Sequence, residues 1–346
     1  MRPKQTIPPR RRQAGLNMME LMIAIAIGLF LLAGLVSVFA NSNRVYVDLN
    51  RAAQQIENGR FAVQTLTDDV SLAGYYGRYP SQLPLPGTLP DPCETANMTA
   101  LREAAALWVQ GYDAPSGAAL TCVSDANHVD GTDILVIRRA DSRTTAPASL
   151  VGAEVYMQAN ADPTAAANPT VALGAPANFT TLTEKDGTTV SPIRKYHVHV
   201  YFVAPCSIPN GGGAVCTGAA DDAGAPVPTL KRLELALNAA GTALEMRVVP
   251  LVEGIENFQV DYGVDIDGDG VPNGAYVTAP ALADWQNVVA LRVNVLARNL
   301  EATGGFTDTK VYDMGVAGTV TPGGPYKRHV YNAVIRVVNP SARRES

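Results

Sequence analysis

The sequence predicts an α+β protein in which one long N-terminal helix precedes a β-rich domain. Three observations lead to this prediction. Residues 21–40 are apolar and uncharged, an amphipathic helical stripe follows them to about residue 72, and the rest of the chain contains short strand-like segments between Gly, Pro and Asn clusters. Such an order is typical of a helix that anchors and packs on antiparallel sheets.

The apolar run from Leu21 to Ala40 has the length of a membrane span. Its 20 residues would form a helix of about 30 Å, which matches a bilayer core. Before Gly15 there are five basic residues and no acidic one: Arg2, Lys4, Arg10, Arg11 and Arg12. By the positive-inside rule this basic segment stays in the cytoplasm. We therefore predict a transmembrane helix over 16–40, in the inner membrane, with the C-terminal domain in the periplasm.

Glu20 stands at the edge of this apolar run. A carboxylate in that position is costly and rare, so by default it marks a functional residue. A plain signal anchor, or a secretory signal peptide cut after Ala40, would show the same basic start and apolar run. Neither requires Glu20, and the run is long for a cleaved signal peptide. No cysteine lies near it, which excludes a lipoprotein.

The helical pattern continues beyond the membrane span. Apolar residues recur with helical spacing at Val45, Leu49, Ala52, Ile56, Val63, Leu66 and Val70. Such a stripe predicts an amphipathic helix that packs on a globular domain. Gly74 and Gly77 end the pattern. We assign 41–77 to this stalk helix and its end, and 78–346 to the β-rich domain.

Seven segments of the domain have the composition of strands. They are Asp133–Arg138, Lys195–Val203, Thr229–Leu237, Glu245–Val249, Phe258–Val264, Val288–Ala297 and Val330–Val338. Their Gly, Pro and Asn boundaries indicate antiparallel sheets. Residues 144–192 are rich in Ala, Thr and Pro without a clear period, which predicts a low-complexity surface excursion.

Four cysteines predict two structural disulfides. Cys93, Cys122, Cys206 and Cys216 allow three pairings, of which Cys93–Cys122 with Cys206–Cys216 closes the shortest loops. No pair has the spacing of a zinc or redox motif. Disulfides imply an oxidising compartment, in agreement with export. The sequence alone leaves the pairing open.

The charge balance and the motifs exclude several functions. The chain has 27 Lys+Arg against 32 Asp+Glu, a net charge of −5, and loss of the five basic residues before Gly15 would leave 22 against 32, or −10. An acidic domain has no electrostatic basis for binding nucleic acid. The sequence shows no nucleophile motif and no phosphate-binding glycine loop. We therefore predict no catalytic residue and no enzymatic activity.

One acidic loop fits the beginning of a calcium site. Asp265, Asp267 and Asp269 occupy positions 1, 3 and 5, Gly270 position 6, the carbonyl of Val271 position 7 and Asn273 position 9. Tyr276 at position 12 cannot replace the usual bidentate glutamate, although Asp284 could complete the site from outside the loop. Calcium is the predicted cofactor, and a solvated acidic turn is the alternative.

His197 and His199 lie two apart in a predicted strand and therefore face the same side. They could share a metal ion, but no Cys, Asp or Glu stands near them in the sequence. Half-buried strand histidines are the favoured interpretation. Trp108 and Trp285 are predicted core residues.

The N-terminal segment resembles the class III signal of type IV prepilins. In that family a prepilin peptidase cuts after the glycine, the new N-terminus is methylated, and the fifth mature residue is glutamate. The resemblance implies cleavage between Gly15 and Leu16, with 1–15 as the leader. It also implies that Glu20 pairs with the N-terminal amine of Leu16 in a neighbouring subunit during assembly. The family usually has Phe and then Thr or Ser after the cut, where this chain has Leu16 and Asn17.

Further segments resemble the PilW type of minor pilin. They are Glu57–Ala62 (ENGRFA), Leu72–Tyr75, Leu251–Phe258 (LVEGIENF), Tyr262–Asp265 and the final strand near Tyr331–Asn339. The resemblance implies a pilin-like fold and a non-enzymatic role in starting or capping a type IV pilus, with twitching motility and adhesion downstream. The implied partners are other minor and major pilins, the prepilin peptidase and a tip adhesin. The implied location is the inner membrane and, after assembly, the extracellular pilus or fimbrium.

Two alternatives stay open at this point. A minor pseudopilin of a type II secretion system would share the leader, Glu20 and a calcium loop, and its genomic neighbours would distinguish it. A signal-anchored periplasmic enzyme or binding protein would keep its leader and tolerate Glu20→Ala.

Overall fold

The structure is a computed structural model that describes Gly15 and residues 17–79, 83–117, 120–161 and 168–345. By internal contacts the chain forms two units, Met1–Asn50 and Arg51–Ser346. We call the second of these the globular unit.

Three helices and twelve strands make up the regular structure of the described residues. The helices are α1 (Met18–Ser71), α2 (Met98–Ala104) and α3 (Val338–Arg344). The strands are β1 (Val109–Tyr112), β2 (Ile134–Ala140), β3 (Val155–Gln158), β4 (Thr170–Leu173), β5 (Ile193–Ala204), β6 (Thr229–Leu237), β7 (Leu244–Glu253), β8 (Ile255–Val264), β9 (Val288–Arg298), β10 (Tyr312–Asp313), β11 (Thr319–Val320) and β12 (Arg328–Arg336). The predicted α+β class is confirmed.

In the first unit, α1 is exposed on all sides. Every residue from 17 to 47 is exposed, including residues 17–40 of the predicted membrane span. The described part of the chain has one helix, α1, that is long and apolar enough to cross a membrane. So large an apolar surface requires lipid or a protein partner to cover it.

In the globular unit, the second half of α1 buries one face. The buried residues are Gln55, Gly59, Ala62, Leu66, Asp69 and Val70. The predicted stripe is right at Leu66 and Val70, which are fully buried, but Ile56 is 49% exposed. The face turned to the sheets includes polar residues and a glycine, because hydrogen bonds and close backbone approach replace apolar packing there.

A seven-stranded antiparallel sheet is built around β5. In this sheet β2 and β6 pair with β5, β1 pairs with β2, and β7 pairs with β6. β3 also pairs with β5, through Tyr156 opposite Lys195, and β4 pairs with β3. β3 and β4 lie within the predicted excursion 144–192, so that segment contributes two strands that its composition did not predict. Each of these two strands has only four residues, which is too few to show the alternation of apolar and polar residues in the sequence.

The second sheet has the order β12–β9–β8 and is also antiparallel. Its inner face and that of the larger sheet enclose a core with the second half of α1, containing Leu66, Leu107, Phe258 and Val293 among others. Trp108 and Trp285 belong to this core, as predicted. The last predicted strand, Val330–Val338, is shorter than expected at its end, because α3 begins at Val338.

Both disulfides link cysteines that are close in the sequence. Cys93 is bonded to Cys122 and Cys206 to Cys216. Of the three pairings that the sequence allowed, the structure has the local one. Asn97 caps α2 just after Cys93, accepting hydrogen bonds from the Thr99 and Ala100 N–H groups.

Candidate functional site

The N-terminal turn of α1 brings Glu20 back onto the chain before it. The backbone N–H of Asn17 donates to Oε2 of Glu20 over 3.2 Å, and the Asn17 carbonyl accepts from Glu20 N–H. A carboxylate in the first turn of a helix satisfies an otherwise unpaired donor and favours the positive end of the helix dipole. The predicted leader up to residue 14 and Leu16 lie outside the described residues, whereas Gly15 and Glu20 lie within them.

Two of the segments that resemble PilW-type minor pilins are in contact in the globular unit. Asn58 of the ENGRFA segment donates its side-chain N–H to the carbonyl of Glu253 in the LVEGIENF segment, over 3.0 Å. The next residue of that segment, Gly254, has a φ of +78° in the tight turn between β7 and β8. A side chain there would also strike the Arg298 carbonyl. Only glycine combines this backbone angle with such close approach.

Gly59 lets α1 lie directly on β12. A Cβ atom at this position would overlap the ring of Tyr331. One turn earlier, Gln55 is buried and donates to the carbonyls of Ala297 and Lys327 over 2.8 Å and 3.1 Å. Gly59, the glycine of ENGRFA, is therefore a packing residue, while Arg60 and Phe61 beside it are exposed.

The C-terminal end of α1 is capped from the end of the chain. Asn339 donates to the carbonyls of Ser71 and Ala73 over 3.4 Å and 3.3 Å. Arg343 donates to the carbonyl of Gly74 over 3.1 Å. The last carbonyls of a helix lack partners inside the helix, and Asn339 satisfies that of Ser71. The bonds to Ala73 and Gly74 hold the turn that follows the helix. Segments that are far apart in the sequence thus converge on residues 55–74.

A buried polar cluster fastens α1 to the larger sheet. Asp69 accepts hydrogen bonds from Arg139 Nε at 2.7 Å, His199 Nδ1 at 2.5 Å and the Tyr201 hydroxyl at 2.8 Å. Burial alone would raise the pKa of Asp69, but the attraction and hydrogen bonds of His199 and Arg139 outweigh it and hold that pKa well below its usual range. The cluster is an ion network that locks helix to sheet.

The histidine pair is divided between two carboxylates. His199 Nδ1 contacts Asp69, while His197 Nε2 lies 3.8 Å from Asp141 Oδ2. Burial, together with the nearby charges of His199 and Arg139, lowers the pKa of His197 to about 4. The favoured interpretation of half-buried strand histidines agrees with this geometry. No acidic residue lies near the two histidines in the sequence, but folding brings Asp69 and Asp141 to them.

The acidic loop forms a compact oxygen-rich turn. Oxygens of Asp265, Asp267 and Asp269 lie within 4.8 Å of one another, and Asp284 is not among this group. Asp265 is buried and accepts from the N–H groups of Gly268 and Gly270 over 2.7 Å and 2.9 Å. The Asn273 side-chain oxygen accepts from Ile266 N–H over 2.6 Å, which closes the loop.

Arg344 of α3 reaches the same loop. Its guanidinium donates to Asp265 Oδ2 over 3.0 Å and to the Asp265 carbonyl over 3.3 Å. Burial would raise the pKa of Asp265, but the Gly270 and Gly268 N–H groups and Arg344 together lower it. The loop is therefore already paired with one positive charge, the Arg344 guanidinium. The donor set of carboxylate, amide and carbonyl oxygens nevertheless fits a hard divalent ion.

Comparison with known proteins identifies about the C-terminal third of the chain. Residues 216–339 match the family described as Type IV Pilus-assembly protein W. By this match the chain carries a PilW-type region of a type IV pilus protein. It takes part in type IV pilus assembly, and its N-terminal helix has the features of a membrane anchor. A search of curated proteins and a search of solved structures found no match.

The matched region of the PilW-type chain runs from the end of the second disulfide loop through β6–β12. It contains the turn at Gly254, the acidic loop and the strand that carries Tyr331. Of these, the turn at Glu253 and Gly254 and the strand with Tyr331 contact α1. The family match and the segments around α1 therefore describe one structural unit.

Sequence reasoning missed Asp69 and Arg139. Asp69 stands three residues after Leu66 on the helical stripe, and a charged residue on a core-facing stripe is a signal that a buried partner exists. Arg139 had no such signal, because strand residues next to a predicted apolar run can face either side of a sheet.

Proposed function

We propose that this PilW-type chain is a minor pilin that is processed after Gly15 and enters the initiating or tip complex of a type IV pilus. It acts there by association of helices and not by catalysis, and it supports twitching motility and adhesion through the fibre. Its partners are other minor and major pilins, the prepilin peptidase and a tip adhesin. It resides in the inner membrane, with its C-terminal domain in the periplasm, before it enters the fibre.

The observation that supports this proposal most is the combination of Glu20 with an uncovered apolar helix and a PilW-type domain. Residues 17–47 are exposed in the part of the chain that the structure describes. Their apolar surface suits contact with lipid before assembly and with neighbouring helices after it. A secretion-system pseudopilin would share the helix, but the match over 216–339 is to a pilus-assembly family.

Glu20 has a direct role in this proposal. Moving a carboxylate from the membrane edge into a helix bundle is unfavourable unless a cation meets it. The N-terminal amine of Leu16 in a neighbouring mature subunit is that cation. Within its own chain the Glu20 carboxylate accepts from the Asn17 N–H, a neutral donor that does not neutralise its charge.

Processing is tested by mass spectrometry of the protein from its native membrane. We expect an N-terminal peptide that begins at methylated Leu16. An intact N-terminus at Met1, or one at Asn41, would contradict the proposal and support an anchored or exported periplasmic protein.

Assembly is tested by exchanging Glu20. Strains with Glu20→Ala and Glu20→Gln should process the leader normally but lose pili and twitching, because both variants lack the charge. Glu103→Ala, at an exposed glutamate of α2, is the matched control and should leave the fibres unchanged. Normal piliation with Glu20→Gln would contradict a role for the charge.

We also propose that Asp265, Asp267 and Asp269 bind calcium with the Val271 carbonyl and Asn273. The ion would stiffen the loop, and Arg344 would compete with it for Asp265. Calcium should raise the melting temperature of the wild-type chain in nanodiscs, magnesium should do so less, and Arg344→Ala should strengthen calcium binding.

The control for the calcium experiment is a second acidic turn. Asp186 caps an exposed turn through the Thr188 and Thr189 N–H groups, so Asp186→Asn should leave the calcium response intact. The pair Asp267→Asn and Asp269→Asn should remove it. An unchanged melting temperature of the wild type with calcium would overturn this proposal.

A further inference from the structure

A cleft opens between the second disulfide loop and strand β7. Its volume is about 470 Å³, which is within the range of small-molecule sites. The walls are mostly apolar and comprise Ile208 and Pro209 from the loop and Met246, Val248 and Pro250 from β7. Lys231 of β6 also lines it.

The loop that forms one wall is held rigidly by two aspartates. Asp221 accepts from the N–H groups of Asn210, Thr217 and Gly218 and from the Thr217 hydroxyl. Asp222 accepts from the N–H groups of Ser207, Ile208 and Val227. Together with the Cys206–Cys216 bond, these contacts fix the wall before any ligand arrives, which lowers the entropic cost of binding.

Lys231 is the unusual feature of the cleft. Lys231 is 1% exposed. Burial lowers the pKa of its ammonium, although the charges of Asp222 and Asp221 act against this effect. The ammonium lies 3.9 Å from Cys206 Sγ and 3.8 Å from Cys216 Sγ. Within the described part of the chain these sulfurs are its only hydrogen-bond partners, and sulfur is a weak acceptor.

A buried ammonium without an oxygen acceptor is costly. Asp221 and Asp222 are near enough to favour its charged form, but their oxygens already accept the loop hydrogen bonds described above. The cation therefore has unused donor capacity and faces a cleft with apolar walls. A ligand that brings a carboxylate to Lys231 and an aliphatic group to Val248 and Pro250 would satisfy both features.

We propose that this cleft binds a carboxylate that is attached to a short aliphatic group. The C-terminal carboxylate of a peptide that ends in an aliphatic residue has this chemistry, and so does a short branched fatty acid. The site is separate from pilus assembly through α1 and goes beyond the function proposed above.

The test compares ligands that differ only in charge, on the full-length wild-type chain in nanodiscs. The probes are N-acetyl-Gly-Val-Leu with a free carboxylate, the same peptide as its C-terminal amide, and 4-methylpentanoate. We expect the free peptide to bind at least about tenfold more tightly than the amide by NMR titration, as a charge-assisted hydrogen bond to Lys231 requires. Binding of 4-methylpentanoate with similar affinity would point to free acids, and its failure to bind would point to peptide termini.

Two variants assign the effect to Lys231. Lys231→Met keeps an unbranched side chain without the ammonium and should abolish the preference for the carboxylate, whereas Arg247→Met at the rim should keep it. Equal binding of the free peptide and the amide by the wild type, or no binding of either, would overturn the proposal. So would a folded Lys231→Met variant that retains the preference. If Lys231→Met does not fold, the comparison of the two peptides on the wild type decides.

Discussion

At the scale of single residues, Gly59 is where the helix and β12 come closest. Its place in ENGRFA carries a resemblance in the sequence, and the fold gives that glycine a physical reason. A methyl group there would meet the ring of Tyr331, which is itself held between the helix and the sheet. The same scale explains Gln55, whose buried amide N–H groups are satisfied by the carbonyls of Ala297 and Lys327, as a buried donor requires.

Gly59→Ala should therefore destabilise the globular unit. We expect a loss of about 1–3 kcal/mol in the free energy of unfolding, as for other overpacked positions, measured by urea denaturation. Gly87→Ala, at a glycine with no neighbouring atom within 4 Å, is the matched control. Combining Gly59→Ala with Tyr331→Leu should recover part of the loss, and an additive double variant would count against a direct clash.

The buried His197 should make stability depend on pH. Its pKa is about 4 in the folded chain against an ordinary value of 6.5, so the folded state disfavours its protonation. Stability from this residue is present above pH 6.5 and is lost as the pH falls towards 4. Since the side chain is 21% exposed, we expect a loss of about 1–3 kcal/mol over that interval.

The measurement compares the wild type with His197→Gln between pH 7 and pH 4. The variant should lose less stability than the wild type, and the exposed His329→Gln should behave like the wild type. Asp133 acts in the opposite direction, because burial raises its pKa to about 7, so the difference between the proteins and not the absolute slope is informative. Parallel curves would show that His197 is not protonated in that range.

At the scale of elements, the second disulfide loop is held by three independent means. The Cys206–Cys216 bond closes it, two aspartates accept its N–H groups, and β5 and β6 hold its ends. Its wall faces β7, an outer strand that includes Pro250. Proline on an outer strand removes a donor that another strand could use, which discourages unwanted sheet pairing.

Replacing both Cys206 and Cys216 by serine should cost about 2–3 kcal/mol, from the entropy of a short closed loop. The domain should still fold, because the hydrogen bonds to Asp221 and Asp222 persist. The matched pair Cys93→Ser and Cys122→Ser opens a longer loop, with a separation of 29 residues instead of 10. Unfolding in denaturant should therefore show a larger loss for that pair, and the reverse order would show that native contacts outweigh loop entropy.

At the scale of the whole molecule, the second half of α1 belongs to the core of the globular unit. Ala62, Leu66 and Val70 are fully buried with residues of both sheets. The residues of that core all belong to the globular unit, as far as the described residues go. The boundary that matters for folding therefore lies within the helix and not at its end.

Two truncated chains test this boundary. A chain that starts at Arg51 should be soluble, form both disulfides and unfold in one transition. A chain that starts at Ala73 lacks the buried face of α1 and should aggregate, since it would expose the core to water. Equal behaviour of the two in circular dichroism and gel filtration would contradict the role given to the helix.

The sequence was sufficient to predict the class of the fold, the long helix, seven of the twelve strands and the residues near the N-terminus that resemble a prepilin signal. These depend on period, composition and local charge, which are visible along the chain. Tertiary structure alone decided the choice among three disulfide pairings, the strands within 144–192, the cluster at Asp69 and the cleft at Lys231. Each of them depends on which distant segments meet, and a buried charge gains its meaning only from the partners that folding brings to it.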